Sequence, residues 1–154
     1  MTGDRLFQIL FAVQLFSTFA MTGLIYLIQF VHYPLFDRVD AERFAQFEAD
    51  HSNRITFIVL PLMTAELGTA GYLAAIRSSS PDRLIWFVLF GLVLAIWAST
   101  FLLSVPEHTR LMRGFDAAAH RRLVVTNWPR TILWTVRSGL LVWAFLRFFR
   151  VEVA

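Results

Sequence analysis

The sequence contains no cysteine and no lysine, and it is poor in charge. Without cysteine, neither a disulfide framework nor a thiolate metal site can form. Without lysine, the chain cannot make a Schiff base with a carbonyl substrate. Charged residues make up 16% of the chain, whereas soluble domains carry about a quarter. These absences exclude several enzyme classes and point to a protein whose solvent is lipid.

The missing charge leaves four long apolar runs, which are expected to cross a membrane as helices. The hydrocarbon core of a bilayer is about 30 Å thick, which an α-helix of about 20 residues can span. The predicted spans are 6–31, 55–76, 83–105 and 129–149. The first run is longer than a signal-peptide core of about 7–15 residues, so we expect it to be retained. The predicted fold is one all-α domain, 1–154, an integral membrane four-helix bundle.

Two polar connections, 29–54 and 105–130, resemble one another. Adding 76 to the residue number relates five identical pairs within a window of 23, where chance gives roughly one or two. The pairs are His32 and His108, Leu35 and Leu111, Asp40 and Asp116, Ala41 and Ala117, and Arg54 and Arg130. The pattern predicts two helical hairpins repeated about an axis along the membrane normal.

Each connection also has the pattern of a short amphipathic interfacial helix. The expected bounds are 41–52 and 117–125, with Asp40 and Asp116 as N-caps. Four alternating spans bring both connections to the same side of the membrane. Eight arginines lie on that side and five on the other, which favours a cytoplasmic position for the connections in a bacterial inner membrane.

Three histidines in these connections are candidate metal ligands. We predict that His32, His51 and His108 bind a divalent transition metal together with Glu48. Imidazole and carboxylate ligands suit iron, zinc or copper. Glu66, Glu107 and Asn127 are alternative ligands for completing the site. The competing interpretation is that interfacial histidines only hydrogen-bond the ends of helices. The fourth histidine, His120, lies beside Arg121 and Arg122 and is expected to be solvated.

Glu66 lies about eleven residues into the second run, a depth at which an ionisable group is costly. One interpretation makes it a catalytic acid or base, or a fourth metal ligand. The other makes it a buried ion pair with Arg137, which lies at a similar depth in the fourth run. Both interpretations stay open at this point.

Further polar and aromatic residues are predicted to contact a substrate. Asn127 and Arg130 are candidate catalytic contacts to a substrate or an oxyanion, and Tyr33, Arg54 and Trp128 are candidate substrate-binding residues. Arg54 and Arg130 are expected to open the second and fourth spans, where the positive end of the helix also favours anions. Contact with lipid phosphate is the alternative for both arginines.

The order of motifs resembles a known pattern. One span ends in VHYPLF and H-x-x-R opens the next. A later span ends in VPEHTRL-x-x-GFD and NWPRT opens the last. This layout resembles an uncharacterised group of small bacterial four-span membrane proteins and, more distantly, the anthrone-oxygenase-like family. The resemblance covers nearly the whole chain and implies oxygen insertion into a polycyclic phenol without a well-defined cofactor.

The leading hypothesis is a membrane enzyme with a metal site at one face and oxidative chemistry on a lipophilic or aromatic molecule. The alternatives are a haem-, quinone- or lipid-binding module and a small partner subunit without catalysis. The expected partners are the bilayer, a lipophilic small molecule and, as an option, a second copy of the chain. Nucleic acid is not expected, because the arginines sit at the ends of apolar runs instead of on one soluble face.

Overall fold

The computed structural model describes residues 2–149, and within them the chain is helical without strands. Helix α1 spans Thr2–Leu27 and continues through a π-helical turn, Ile28–His32, into a 3₁₀ segment, Tyr33–Arg38. Helix α2 spans Ala41–Ile76. Helix α3 spans Arg83–Ser99 and continues through a second π-helical turn, Thr100–Ser104, into α4, Val105–Leu111. Helix α5 spans Ala117–Phe148.

These elements form four continuous rods, each long and apolar enough to cross a membrane. The rods are Arg5–Arg38, Ala41–Ile76, Arg83–Leu111 and Ala117–Phe148, with 34, 36, 29 and 32 residues. At 1.5 Å per residue an α-helix of these lengths measures about 43 to 54 Å. Each rod therefore exceeds a hydrocarbon core of about 30 Å and extends into the headgroup region. The predicted all-α four-helix membrane bundle is confirmed.

The rods are arranged as a ring of neighbours. Helix α1 packs against α2 and α5, and α3 packs against the same two helices. Three clusters of buried apolar residues fill the interior along its length, centred on Trp86, Trp134 and Phe36. Large apolar side chains cover the outside, with Phe57 82% and Leu102 73% exposed. A surface of this kind suits contact with lipid chains.

The predicted short helices 41–52 and 117–125 do not exist as separate elements. They are the first turns of α2 and α5, which run on into the membrane without a break. Each predicted junction, after residue 52 and after residue 125, lacks the glycine that commonly ends a helix. Continuing the helix also keeps most backbone groups hydrogen-bonded where water is scarce, although Pro61 in α2 and Pro129 in α5 supply no N–H.

The two halves agree at their second helices but not at their first. The starts of α2 and α5, Ala41 and Ala117, differ by 76 residues, as predicted. The π-helical turns at Ile28–His32 and Thr100–Ser104 differ by only 72 residues. Measured from the π-helical turn of its own half, His108 therefore lies four residues, or about 6 Å, further along its rod than His32 does.

The caps of the second helices also differ. The carboxylate of Asp116 accepts hydrogen bonds from the backbone N–H groups of Ala118 (2.8 Å) and Ala119 (2.9 Å). These two bonds hold the pKa of Asp116 below its ordinary value, and the bond from Ala119 has the larger effect. Asp40 occupies the N-cap position of α2 but makes no such bond.

Candidate functional site

Five side chains from three segments meet at one end of the bundle, and we call them the histidine cluster: His32, Tyr33, Glu48, His51 and His108. His32 and Tyr33 lie where the first π-helical turn passes into the 3₁₀ segment. Glu48 and His51 come from α2, one turn apart on the same face, and His108 comes from α4. The π-helical turn adds a residue to the helix and so changes which side chains face α2.

A hydrogen-bonded chain runs through the cluster from a carboxylate to a phenol. Glu48 is fully buried, and its Oε1 contacts His108 Nδ1. Ser52, one turn along α2, donates to the same Oε1 at 3.2 Å. The other ring nitrogen, His108 Nε2, lies 2.8 Å from the Tyr33 hydroxyl oxygen. In a neutral His108 the carboxylate receives the Nδ1 hydrogen, so Nε2 accepts from the phenol.

The remaining two histidines form a second pair beside this chain. His32 Nε2 and His51 Nδ1 are 2.9 Å apart, and their ring centroids are separated by 4.5 Å. The rings of His51 and His108 are 5.7 Å apart, which brings the two pairs into contact. Phe36 packs edge-on against His32 and His51. The four predicted ligands therefore lie together, although the first and the last, His32 and His108, are 76 residues apart in sequence.

The donors are paired with one another in this structure. Among residues 2–149, no group of three or more His, Cys, Asp or Glu side chains is arranged so that it could hold a metal ion. One fully buried donor atom of the cluster, Glu48 Oε2, has no hydrogen-bond partner. Buried carboxylate oxygens normally have partners, so this atom is free to take a proton, a ligand or an ion.

Two cavities adjoin the histidine cluster. The first, of about 430 Å³, is bounded by the polar residues His32, Asp50, His51 and Arg54 and otherwise by apolar side chains of the first two rods. The second, of about 240 Å³, is bounded by Tyr33, His108 and Arg130 and by hydroxyl groups of α2 and the second π-helical turn. The cluster thus contributes polar groups to both cavities.

Arg130 is the buried charge of the second cavity. It is 6% exposed and donates from Nη1 to the Ser104 hydroxyl at 2.7 Å. The guanidinium lies beside the Tyr33 phenol and 5.8 Å from the centroid of the Trp134 ring. Its Nε–H has no partner. Within residues 2–149, no carboxylate lies within 4.0 Å of its nitrogens.

Arg54 and Arg130 do not lie at the starts of helices, contrary to expectation. Each is thirteen residues into its helix, because α2 begins at Ala41 and α5 at Ala117. The field of a helix terminus falls off within the first turn. Any anion binding at these arginines must therefore come from the side chains and not from the helix ends.

Asn127 and Trp128 lie outside the histidine cluster and both cavities. Asn127 is buried and donates to the Gln29 side chain at 2.8 Å, while its Oδ1 has no partner. Trp128 is 41% exposed and packs edge-on against Phe30 on the outer surface. The alternative ligand Glu107 is also elsewhere, bound to Arg110 at 2.8 Å and Arg122 at 3.0 Å.

Glu66 belongs to a separate network in the middle of the bundle. It is eighteen residues from Glu48 on the same helix, about 27 Å along the axis. Its Oε1 accepts from Thr18 at 2.6 Å and from Arg137 Nε at 3.2 Å. Its Oε2 accepts from Trp134 Nε1 at 3.0 Å. The geometry is that of the buried ion pair, with every carboxylate oxygen satisfied.

His120, expected to be solvated, is instead half-buried against the cluster. Its Nε2–H donates to the backbone carbonyl of Tyr33 at 2.8 Å, and its ring stacks on Phe36. Sequence reasoning also missed Ser52 and Ser104, the hydroxyl partners of Glu48 and Arg130. Only Ser52 had a sequence signal, since it lies four residues after Glu48 on a predicted helix.

Comparison of the chain with protein-family models, with curated proteins and with solved structures found no match. The resemblance to the anthrone-oxygenase-like family therefore stays a prediction from the motifs. What the chain does must be inferred from the histidine cluster and its two cavities.

Proposed function

We propose that the protein is a membrane-embedded enzyme that acts on a lipophilic small molecule at the histidine cluster, with a transition metal held by His32, His51, His108 and Glu48. One observation carries this proposal. Four potential metal donors from three segments, the outermost 76 residues apart, lie together beside two cavities in a chain with only four histidines.

The residues fit a metal by their chemistry and by one orphaned atom. Three imidazoles and a carboxylate are a donor set that iron, zinc and copper accept. Glu48 Oε2 is a buried oxygen that lacks a partner, as an oxygen ligand without its ion would. Metal binding also requires the two donor pairs to close around one point. His108 Nε2 would then exchange its bond to Tyr33 for a bond to the ion.

The chain itself supplies orientation and proton transfer. A bound iron or copper ion would supply redox chemistry with dioxygen as oxidant, whereas zinc would supply Lewis-acid chemistry. Glu48 fixes the ring of His108 through Nδ1, as carboxylates next to ligand histidines commonly do. Tyr33 can give or take a proton at its hydroxyl oxygen, within reach of the second cavity.

The first cavity supports a lipophilic substrate. Its volume of about 430 Å³ is within the range of small-molecule sites, about 300–1,000 Å³. Its wall includes Leu27 and Ile58, which are 55% and 53% exposed on the lipid-facing surface. A molecule dissolved in the bilayer could enter between α1 and α2 and reach His32 and His51 without passing through water.

The test is the metal content of protein purified in detergent, comparing His108→Ala with His120→Ala. Both variants remove one imidazole from the same end of the bundle, but only His108 is a proposed ligand. We expect stoichiometric metal in the wild type and in His120→Ala, and a loss of at least about tenfold in affinity in His108→Ala. Metal-free wild type, or full retention in His108→Ala, would overturn the metal assignment.

A second candidate is a cofactor-free acid–base enzyme, which the bonds of His108 favour. Both ring nitrogens are already engaged, in the order carboxylate, imidazole, phenol that activates hydroxyl groups in other enzymes. Binding of 2-naphthol to EDTA-treated protein tests this candidate. A weakening of about 2- to 12-fold in Tyr33→Phe, but none in His120→Ala, would support it.

A further inference from the structure

We infer that the second cavity binds the anionic end of a lipophilic acid, such as a carboxylate or a phenolate, with Arg130 as its anchor. This inference rests on the proposed function, because it gives the substrate of the histidine cluster an acidic group. The occupant of the second cavity is a membrane-soluble acid and not the phosphate of a structural lipid.

Arg130 carries a buried positive charge without an opposite charge beside it among residues 2–149. A guanidinium withdrawn from water into an apolar bundle is costly unless an opposite charge or several acceptors surround it. Arg137 has Glu66, and Arg122 has Glu107. Arg130 has only neutral neighbours, the Ser104 hydroxyl and the Tyr33 phenol, and one N–H without any partner. The bundle therefore holds one deeply buried cation that its described residues do not neutralise.

The guanidinium of Arg130 lies next to space that a ligand can occupy. Arg130 forms part of the wall of the second cavity, together with Tyr33 and His108. A planar anion there would meet the guanidinium fork, which suits two oxygens of a carboxylate. The Ser104 hydroxyl, which accepts from Arg130, lies on the same wall, whereas the Thr100 hydroxyl there already donates to the Ile96 carbonyl at 2.9 Å. The wall therefore offers an anion the guanidinium of Arg130 and the hydroxyl hydrogen of Ser104.

The rest of the cavity sets the size and character of the ligand. Ile55 and Val59 make part of its wall apolar. Its volume of about 240 Å³ is below that of a typical drug site and suits an acidic group with one or two attached rings. Thr56 and Met112 are exposed and also line the cavity, so the remainder of the ligand can extend outwards.

The experiment measures binding of 2-naphthoate and of its uncharged analogue 2-naphthamide to protein in phosphatidylcholine nanodiscs containing EDTA. We expect the wild type to prefer 2-naphthoate. Arg130→Gln should weaken 2-naphthoate binding by at least about tenfold and leave 2-naphthamide unchanged, since a hydrogen bond to a charged group is lost. Arg121→Gln, which changes an exposed arginine on the same helix outside both cavities, should leave both affinities unchanged.

Several outcomes would overturn the inference. One is equal binding of the acid and the amide by the wild type, which needs no variant to fold. Another is a loss of 2-naphthoate binding in Arg121→Gln but not in Arg130→Gln. If Arg130→Gln does not fold, Thr56→Trp narrows the same cavity from an exposed position, and unchanged binding would count against the site.

Two further arms separate related explanations. Replacing half of the phosphatidylcholine by phosphatidylglycerol tests whether an anionic lipid competes with 2-naphthoate for the site. Strong competition by this lipid would assign the site to a lipid phosphate and reject a small acid as its occupant. Because EDTA is present throughout, failure of the metal assignment does not remove 2-naphthoate binding, and the two proposals can fail independently.

Discussion

Two buried arginines lie seven residues apart on α5, and their surroundings are opposite. Arg137 is fully buried and bound to Glu66, to the Gln14 side chain and to the carbonyl of Leu89. Arg130 is almost as buried but has only two neutral partners, the Ser104 hydroxyl and the Tyr33 phenol, and it lines a cavity. The same residue type therefore serves two purposes in one helix.

The comparison separates a group that holds the bundle together from a group that is available to a ligand. Around Glu66 and Arg137 every carboxylate oxygen is bonded, and all four rods contribute. Around Arg130 and the histidine cluster, polar atoms are left over at Arg130 Nε and Glu48 Oε2. Other buried atoms, such as Ser80 Oγ at the opposite end, also lack partners, but Arg130 is a charged side chain in the wall of a cavity and is therefore available to a ligand.

The largest expected effect is that of Arg137→Met. The change leaves the Glu66 carboxylate buried without its cation, which costs about 3–5 kcal/mol in comparable pairs. The measurement is the free energy of unfolding in mixed detergent micelles, followed by tryptophan fluorescence. The double variant Glu66→Leu, Arg137→Met is the control and should recover most of the stability, because no charge is left behind. If the single variant is as stable as the wild type, the ion pair does not hold the bundle together.

Glu48→Gln should have the next largest effect, and on metal affinity more than on stability. Glu48 orients His108 and carries the free oxygen, and loss of such a group typically lowers metal affinity about 10- to 100-fold. Titration with cobalt(II), followed by its visible spectrum, measures the change. Glu107→Gln removes another buried carboxylate at the same end and should leave affinity unchanged. Equal losses in both variants would remove the distinction between the two carboxylates.

Much of this contrast is predictable from the sequence, for physical reasons. Four apolar runs leave few folds open, and an ionisable residue deep in such a run needs a partner, which identifies Glu66 and Arg137. Alternating spans place His32, His51 and His108 on the same side of the membrane, but they do not decide whether the three rings meet. Asp116 is recognisable as a cap because its side chain acts within its own first turn.

Other features are not local and so escape prediction. A π-helical turn adds one residue and rotates all later side chains by about 100°. The residues Ile28–His32 contain no sequence signal that predicts such a turn. Tyr33 consequently meets His108 across 75 residues, and His120 meets the carbonyl of Tyr33 across 87. Whether Arg130 has a carboxylate partner is likewise decided by the packing of four helices and not by its neighbours in sequence.

A smaller effect is expected for His120→Ala, which belongs to the histidine end without being a proposed ligand. The variant loses one hydrogen bond to the Tyr33 carbonyl, worth about 1 kcal/mol in typical cases. The unfolding measurement used for Arg137→Met should show this loss, while cobalt(II) affinity stays the same. A large fall in affinity would mean that His120 positions the cluster and is not only a structural contact.

The smallest expected effect is that of Arg130→Met, and it is the sharpest test of the contrast. The substitution is the same as at Arg137, on the same helix and at similar burial, but it strands no carboxylate. Its two partners are neutral: the Tyr33 phenol keeps His108 as a partner, and the Ser104 hydroxyl can turn to the backbone carbonyl one helical turn back. We expect a change in unfolding free energy within about 1 kcal/mol of zero, together with loss of 2-naphthoate binding. Residues kept for function commonly cost stability, so a slight gain also fits. A loss as large as that of Arg137→Met would show instead that Arg130, like Arg137, holds the bundle together.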